Sequence, residues 1–321
     1  MKFTSKTVML DLIDMDDRAF VVTAGRGIEG LKNSIEVIGL VSPPYLVFSE
    51  SKGCYRVVCG YRRLEASANL GWKEVPAKVF NSSADEKELF LFALYDNLSH
   101  RDFNPVEKAG AVERLLKFFS ENEVIETYFP LLGLPAYVGA FEDLISLIEL
   151  EDEIKHGIIQ GTITEKNAIR LSGMETDDRL YLFRLFCMVN LSSSKQAETI
   201  ESCCDIARRD NLSVRDVLKH EGIEEILKHD KLNLSQKGDR IRQLLRKKRF
   251  PRLTLCEERF LRLRKKLALP GSIELHPPPF FEGSTYRMQI EFENIEDLGR
   301  AADQVKVLAG NTSVKEMLEE K

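Results

Sequence analysis

The sequence predicts an α+β protein in three parts: a small mixed domain, a mainly α-helical middle and a short C-terminal strand–helix element. Three observations carry this. Over the first hundred residues short β-branched runs alternate with helical periodicity. From Asn104 almost unbroken helical periodicity follows, and the break at Pro270-Gly271 opens two further short strands and a helix. With 321 residues, 43% of them hydrophobic, the chain has the length for two or three domains and the apolar material for their cores, which excludes a disordered polyelectrolyte.

In the first part, strands are expected at residues 7–12, 45–48, 55–58 and 75–80, with helices at 28–38, 61–70 and 85–98 between them. In the middle, helix boundaries are marked by Asn104-Pro105, Gly133-Leu134-Pro135, Gly161-Thr162, Gly173 and Ser192-Ser193-Ser194. At the end, strands at 272–276 and 286–292 precede a helix at 295–308. Two strands and one helix make too small a core to stand alone, so this piece is expected to dock or to dimerise. The expected division is 1–103, 104–230, 231–268 and 269–321.

The formal net charge of -5 hides an uneven distribution. Residues 240–266 hold twelve Lys and Arg against Glu257 and Glu258, a net of +10, which leaves -15 for the rest. Apolar residues are interleaved, so the segment reads as two amphipathic helices separated near Pro251. Arg246, Lys247, Lys248, Arg249, Arg252, Arg262, Arg264, Lys265 and Lys266 are the candidates to neutralise phosphates of double-stranded DNA, with binding that weakens steeply in salt. A solvated helical face, or contact with acidic parts of the same chain, is the alternative.

No apolar run approaches the length of a membrane span, and the N-terminus turns acidic before a signal-peptide core develops, so a cytoplasmic protein without membrane association is expected. The six cysteines include no C-x-x-C and read as reduced structural thiols. His100, His156, His220, His229 and His276 are spaced too irregularly for a metal site. Trp72 after Gly71 reads as a core or rim anchor.

Gly25-Arg26-Gly27-Ile28-Glu29-Gly30 is a literal G-x-G-x-x-G, with a strand-like stretch at 19–23 before it and Glu50 beyond. It opens a nicotinamide or flavin reading, beside the simpler one of a glycine-rich turn starting a helix. A second constellation has more parts. The helix ending at Gly39 leads to Ser42-Pro43-Pro44, then to Val57-Val58-Cys59-Gly60-Tyr61-Arg62-Arg63, and Asp96-Asn97-Leu98-Ser99-His100-Arg101 closes a later helix. Gly60 lets a helix begin close to a ligand, and Arg62 and Arg63 stand at its N-terminus, where free N–H groups already favour an anion. Asp96 and Asn97 offer oxygen ligands for a divalent metal. Phosphate with metal is one reading; a paired Arg–Asp network between helices is the other.

The order of these parts resembles the ParB partition-protein family, whose N-terminal domain carries G-x-R-R and E-N-x-x-R boxes around a cytidine triphosphate and magnesium site. The resemblance covers roughly residues 7–200. It implies that Gly39, Ser42, Gly60, Tyr61, Arg62, Arg63 and Asn97 bind CTP and that Asp96 and Asn97 hold Mg2+. It extends into Leu132-Gly133-Leu134-Pro135-Ala136-Tyr137-Val138 and the helices behind, which are similar to the family's helix-turn-helix, with Tyr137 on the DNA side. The last strand and helix are similar to the dimerisation elements of some members. The departures are specific. Tyr61 replaces the acid of G-E-R-R, Asp96-Asn97 replaces Glu-Asn, and Ser42 replaces a glutamine. The acid and the glutamine are the groups the family would use around the metal and attacking water, so binding with at most weak CTP hydrolysis is implied. The segment 135–143 is apolar and then acidic, unlike a helix that reads bases. Sulfiredoxins share this small fold and place a cysteine where Tyr61 stands; Cys59 falls in the preceding strand, which speaks against thiol catalysis.

The reading is a nucleoid-associated, DNA-binding homodimer acting in chromosome or plasmid partition or related DNA-associated regulation, with a CTP/Mg2+-dependent clamp or switch as hypothesis and a ParA-like ATPase as the further partner the resemblance implies. A nucleotide-independent DNA-binding scaffold or transcription regulator is the alternative; an NAD- or FAD-binding oxidoreductase is the weaker one.

Overall fold

The computed structural model describes residues 2–219 and 221–319. Two compact units divide at 187/188, inside the stretch 104–230 expected as one segment: Met1–Cys187 and Met188–Lys321.

The first unit opens with a five-stranded sheet ordered β1-β5-β3-β4-β2, from β1 (Phe3–Met9), β2 (Ile13–Asp14), β3 (Tyr45–Ser49), β4 (Cys54–Cys59) and β5 (Glu74–Phe80). β1 and β5 are antiparallel from Phe3↔Phe80 to Met9↔Glu74, β5 and β3 parallel, β3 and β4 antiparallel, β4 and β2 parallel. The first strand therefore starts four residues before the expected 7–12, and Leu10–Leu12 form a 3-10 turn. Pairing along all of β5 decides this boundary, whereas the local apolar pattern suggested a later one.

Strand alternation gives each face its cover. Val8, Leu46, Val57, Val75, Ala77 and Val79 form a core with Leu64 of α2 (Tyr61–Asn69), and Trp72 packs at its rim, as expected. On the other face Tyr45 and Phe80 meet Phe92 of α3 (Glu86–His100), with ring centroids 4.7 and 5.1 Å apart. α1 (Glu29–Ile38) precedes β3. The expected strand at 19–23 does not form. That stretch is irregular, anchored by buried Phe20 and Val22.

α4 (Pro105–Leu115) begins at a capping box in which Asn104 and Glu107 exchange hydrogen bonds, with Pro105 at the first helical position. A broken helix follows, made of α5 (Glu121–Glu123), one π turn at Val124–Tyr128 and α6 (Phe129–Leu131). Next come α7 (Val138–Ile148), α8 (Asp152–Gln160), α9 (Glu165–Ser172) and α10 (Thr176–Met188). Gly161 (φ +76°) ends α8, and Gly157 is filled so closely by Phe183 that a Cβ would stand 2.4 Å from its ring.

The second unit stacks α11 (Ser193–Asp210), α12 (Val214–Leu218), α13 (Glu221–Lys228), α14 (Leu234–Arg249) and α15 (Pro251–Leu267). α14 and α15 are the two expected basic helices, broken by Pro251. The C-terminal element holds β6 (Ile273–His276), β7 (Arg287–Ile290), α16 (Ile295–Ala309) and an unforeseen α17 (Thr312–Glu319). It docks within its own chain: Phe260, Leu263 and Leu267 of α15 share a core with Leu275, Leu308 and Met317. Met288, Phe292 and Ile295 stay exposed. Among the described residues no helix is long and apolar enough to cross a membrane. Four of the five histidines lie apart from any metal-binding group; His220 lies outside the described residues.

Candidate functional site

The site begins where β4 hands over to α2. Gly60 adopts φ +91°, and a Cβ on it would meet Pro44 Cβ at 2.9 Å, so only glycine allows the chain to turn this close to the Ser42-Pro43-Pro44 segment. Arg63 then donates to the carbonyls of Ser42 (2.6 Å) and Pro43 (3.4 Å). The N–H groups of Arg63 and Leu64 donate to the Gly60 carbonyl (2.9 and 3.1 Å), which leaves those of Tyr61 and Arg62 without acceptors within the helix.

In front of this turn lies a cleft of about 330 Å3. Phe20, Val22 and Thr23 of the irregular stretch form one wall, and Asp96, Asn97, His100 and Arg101 of α3 and its end form another. The structure thus brings together Ser42, Gly60, Tyr61, Arg62, Arg63, Asp96 and Asn97 from the expected set. Gly39 caps the end of α1 with φ +75° and does not line the cleft. Tyr61 donates to the Met15 carbonyl at 2.5 Å and its ring carries Arg18 at 4.0 Å, so this substitution for an acid ties down the wall beside the cleft.

Behind the cleft lining, Arg26 and Arg101 converge on one carboxylate that sequence reasoning missed, with Arg62 nearby. Glu107 is fully buried, yet it accepts from Arg101 (2.6 Å), the backbone N–H of Ala24 (3.0 Å) and that of Asn104 (3.0 Å), and lies 3.5 Å from Arg26. Arg101 also donates to Thr23 Oγ1 at 2.9 Å and packs on Phe103. Arg62 donates to the Gly27 carbonyl and has a buried Nε with no partner among the described residues. Burial, followed by the neighbouring Arg26 and Arg101, lowers the Arg62 pKa from its ordinary value. Three cations against one carboxylate leave a local excess of positive charge with an unspent donor: a setting for a multiply charged anion. The capping-box spacing of Asn104 and Glu107 was the only signal in the sequence. It marks a helix start and does not reveal the convergence of Arg26 and Arg101.

For a metal the donor set is small. Among the described residues no group of three or more His, Cys, Asp or Glu side chains converges. Asn97 spends its Nδ2 on the Ala93 carbonyl (2.8 Å), and its Oδ1 lies 3.5 Å from Arg101. Asp96 remains as one carboxylate at the cleft wall. That suits Mg2+, which takes one or two carboxylates and draws its other ligands from phosphates and water. Cys59 is buried, and burial with the nearby Asp96 pushes its thiol pKa far up, the opposite of a reactive thiolate.

The dinucleotide reading is corrected. Residues 19–23, directly before Gly25, form no strand, α1 starts inside the motif at Glu29, and Glu50 accepts from Ser82 (3.0 Å) beyond the cleft lining. Gly25 serves packing instead: at φ +68°, a Cβ would collide with Ile159 at 2.5 Å.

The basic helices are partly neutralised. Arg246 donates two hydrogen bonds to the Glu257 carboxylate (2.7 Å each), Lys247 pairs with Glu258 (2.7 Å), and Arg249 pairs with Asp205 (2.5 Å). Lys248 is half-buried, and its carbonyl accepts from Arg209 at 2.7 Å. Arg252, Arg262, Arg264, Lys265 and Lys266 are exposed on α15 without an acidic partner among the described residues. Tyr137 is exposed at the start of α7, with Glu142 and Asp143 on the following turns.

Residues 5–98 match the ParB N-terminal domain. The nucleoid occlusion protein of Bacillus cytotoxicus is 28% identical over 151 residues, covering 47% of this chain and 50% of the relative. That of Lysinibacillus sphaericus is 32% identical over 141 residues, covering 44% and 45%. The chain spans about half the length of the curated relatives it matches. Among solved structures, the C-terminally truncated chromosome-partitioning protein ParB from Caulobacter crescentus complexed with CTP-γ-S is 21% identical, with 57% of this chain and 99% of that chain covered and a TM-score of 0.28. The same protein complexed to the centromeric parS site is 20% identical, with 60% and 96% covered and a TM-score of 0.34. Residues 5–98 thus resemble a ParB N-terminal domain, and the similarity to the nucleoid occlusion proteins covers about half of the chain.

Proposed function

We propose that this protein binds a nucleoside triphosphate, CTP by its family, and uses it to control association with double-stranded DNA in chromosome partition or nucleoid occlusion. The observation that carries the reading is the excess of guanidinium over carboxylate beside the start of α2. Arg62, Arg63 and the first N–H groups of α2 would take the phosphates, and Asp96 would hold Mg2+, which screens phosphate charge. Tyr61 leaves the cleft without the acid of the G-E-R-R box, so CTP acts chiefly as a bound switch with at most weak hydrolysis. Such a switch requires different nucleotide affinities in the protein's two states. DNA contacts fall to the exposed cations Arg252, Arg262, Arg264, Lys265 and Lys266. Met288, Phe292 and Ile295 offer an apolar face for a homodimer, and a ParA-like ATPase is the family's further partner. The protein works in the cytoplasm at the nucleoid.

Calorimetry with CTP and Mg2+, with and without duplex DNA, tests this. Saturable binding that Arg63→Ala abolishes is expected. Heat indistinguishable from dilution in both proteins contradicts the nucleotide half. Duplex affinity should fall steeply with salt, and reversal of Arg262, Arg264, Lys265 and Lys266 to Glu should flatten that slope. An unchanged slope removes α15 from the DNA surface.

A further inference from the structure

Residues 240–266 hold twelve cations and only two acids, and both acids land on exposed cations of α14. The four ion-paired cations of α14 fall into two kinds. Arg242 and Arg249 have side chains 22% and 20% exposed and meet Glu198 and Asp205 of α11, which fastens one helix to the next. Arg246 and Lys247 are 46% and 61% exposed, and their partners are Glu257 and Glu258 of α15, at 2.7 Å each. In one continuous helix, residues eleven apart would stand about 16 Å apart along the axis. The break at Phe250, with φ -124° and ψ 63°, brings both pairs together.

Nothing local demands these pairings. Glu258 has Arg262 four residues on, the favoured arrangement within a helix, yet it pairs with Lys247 and leaves Arg262 exposed without a carboxylate among the described residues. The Arg246–Glu257 contact is bidentate, with two hydrogen bonds of 2.7 Å, the geometry in which a guanidinium also grips a phosphate. Each pair is neutral as a unit. The outward positive charge of the segment therefore loses two cations of α14 and keeps Arg252, Arg262, Arg264, Lys265 and Lys266 of α15.

We propose that Glu257 and Glu258 are built-in phosphate mimics, which hold Arg246 and Lys247 off duplex DNA and confine its contact to the outward cations of α15. This rests on α15 being the DNA surface. An exposed pair holds its cation by only about fivefold, so the two carboxylates tune the contact with phosphate and do not abolish it. The device lies wholly within the second unit and needs no nucleotide, so it stands or falls independently of the cleft.

Lysine acetylation footprinting of the full chain on duplex DNA, with duplex titrations over a range of salt, tests this. In the wild-type complex Lys265 and Lys266 become protected and Lys247 stays reactive. Glu257→Gln with Glu258→Gln extends protection to Lys247, tightens binding about tenfold and steepens the log–log salt slope by about 1.8, as two further phosphate contacts require. Glu225→Gln with Asp230→Asn makes the same change of charge at exposed acids of the same unit that pair with no cation among the described residues. That variant keeps the wild-type footprint and slope. Lys247 already protected in the wild-type complex, or equal steepening in both variants, overturns the proposal. Lys265 and Lys266 unprotected in a saturated complex takes α15 off the DNA surface and overturns both readings.

Discussion

Two arginine-rich regions of this molecule differ in what their guanidinium groups touch. At the cleft, Arg62 and Arg63 point at backbone carbonyls, and beside it Arg26 and Arg101 share one buried carboxylate. On α14, Arg242, Arg246 and Arg249 each meet carboxylates of α11 or α15. A carbonyl satisfies a donor but leaves the charge, whereas a carboxylate cancels both. The +10 segment is thus less available than its charge suggests, which is why the proposed anion site is the cleft and not the basic segment.

The largest expected effect breaks the cleft side of this contrast. Glu107→Ala removes a buried carboxylate that holds Arg101, Arg26 and two backbone N–H groups, and leaves cations and donors unpaired; a loss of about 3–5 kcal/mol of stability is expected in urea unfolding. A loss below 1 kcal/mol would mean that the hub is not formed. Next comes Gly60→Ala, which meets Pro44 at 2.9 Å with φ +91°; about 1–3 kcal/mol is expected, together with weaker nucleotide binding.

The sequence made part of this contrast legible. Gly60 before Arg62-Arg63, the Asn104-Pro105 helix start and Pro251 between basic helices are local signals, and each stands where its residue type requires. The hub around Glu107 depends on residues 24, 26, 101 and 104 meeting in space, and the neutralisation of α14 depends on Asp205 and Glu198 of α11. No local spacing records either. The first strand was misplaced for the same reason: its limits follow from its partner β5.

Smaller effects sharpen the other side. Arg246→Ala removes an exposed pair with Glu257, so no more than about 1 kcal/mol is expected, shrinking in salt. For pH, Arg179 beside Glu151 holds its carboxyl below the ordinary range. The folded pKa lies below the unfolded one, so this pair contributes its full stability above the usual carboxylate range and loses it as pH falls through the lowered folded value. Glu151→Gln should flatten the acid limb of stability in that window; an unchanged limb would place the acid sensitivity elsewhere.

The central claim is that the guanidinium cluster of the cleft reads phosphate charge. Competition for the cleft by cytidine tri-, di- and monophosphate, each with Mg2+, tests it most directly. The account predicts affinity falling at each lost phosphate, and Arg62→Ala collapsing the three toward one weak value. Equal affinities for all three nucleotides, or a ladder untouched by Arg62→Ala, would contradict it.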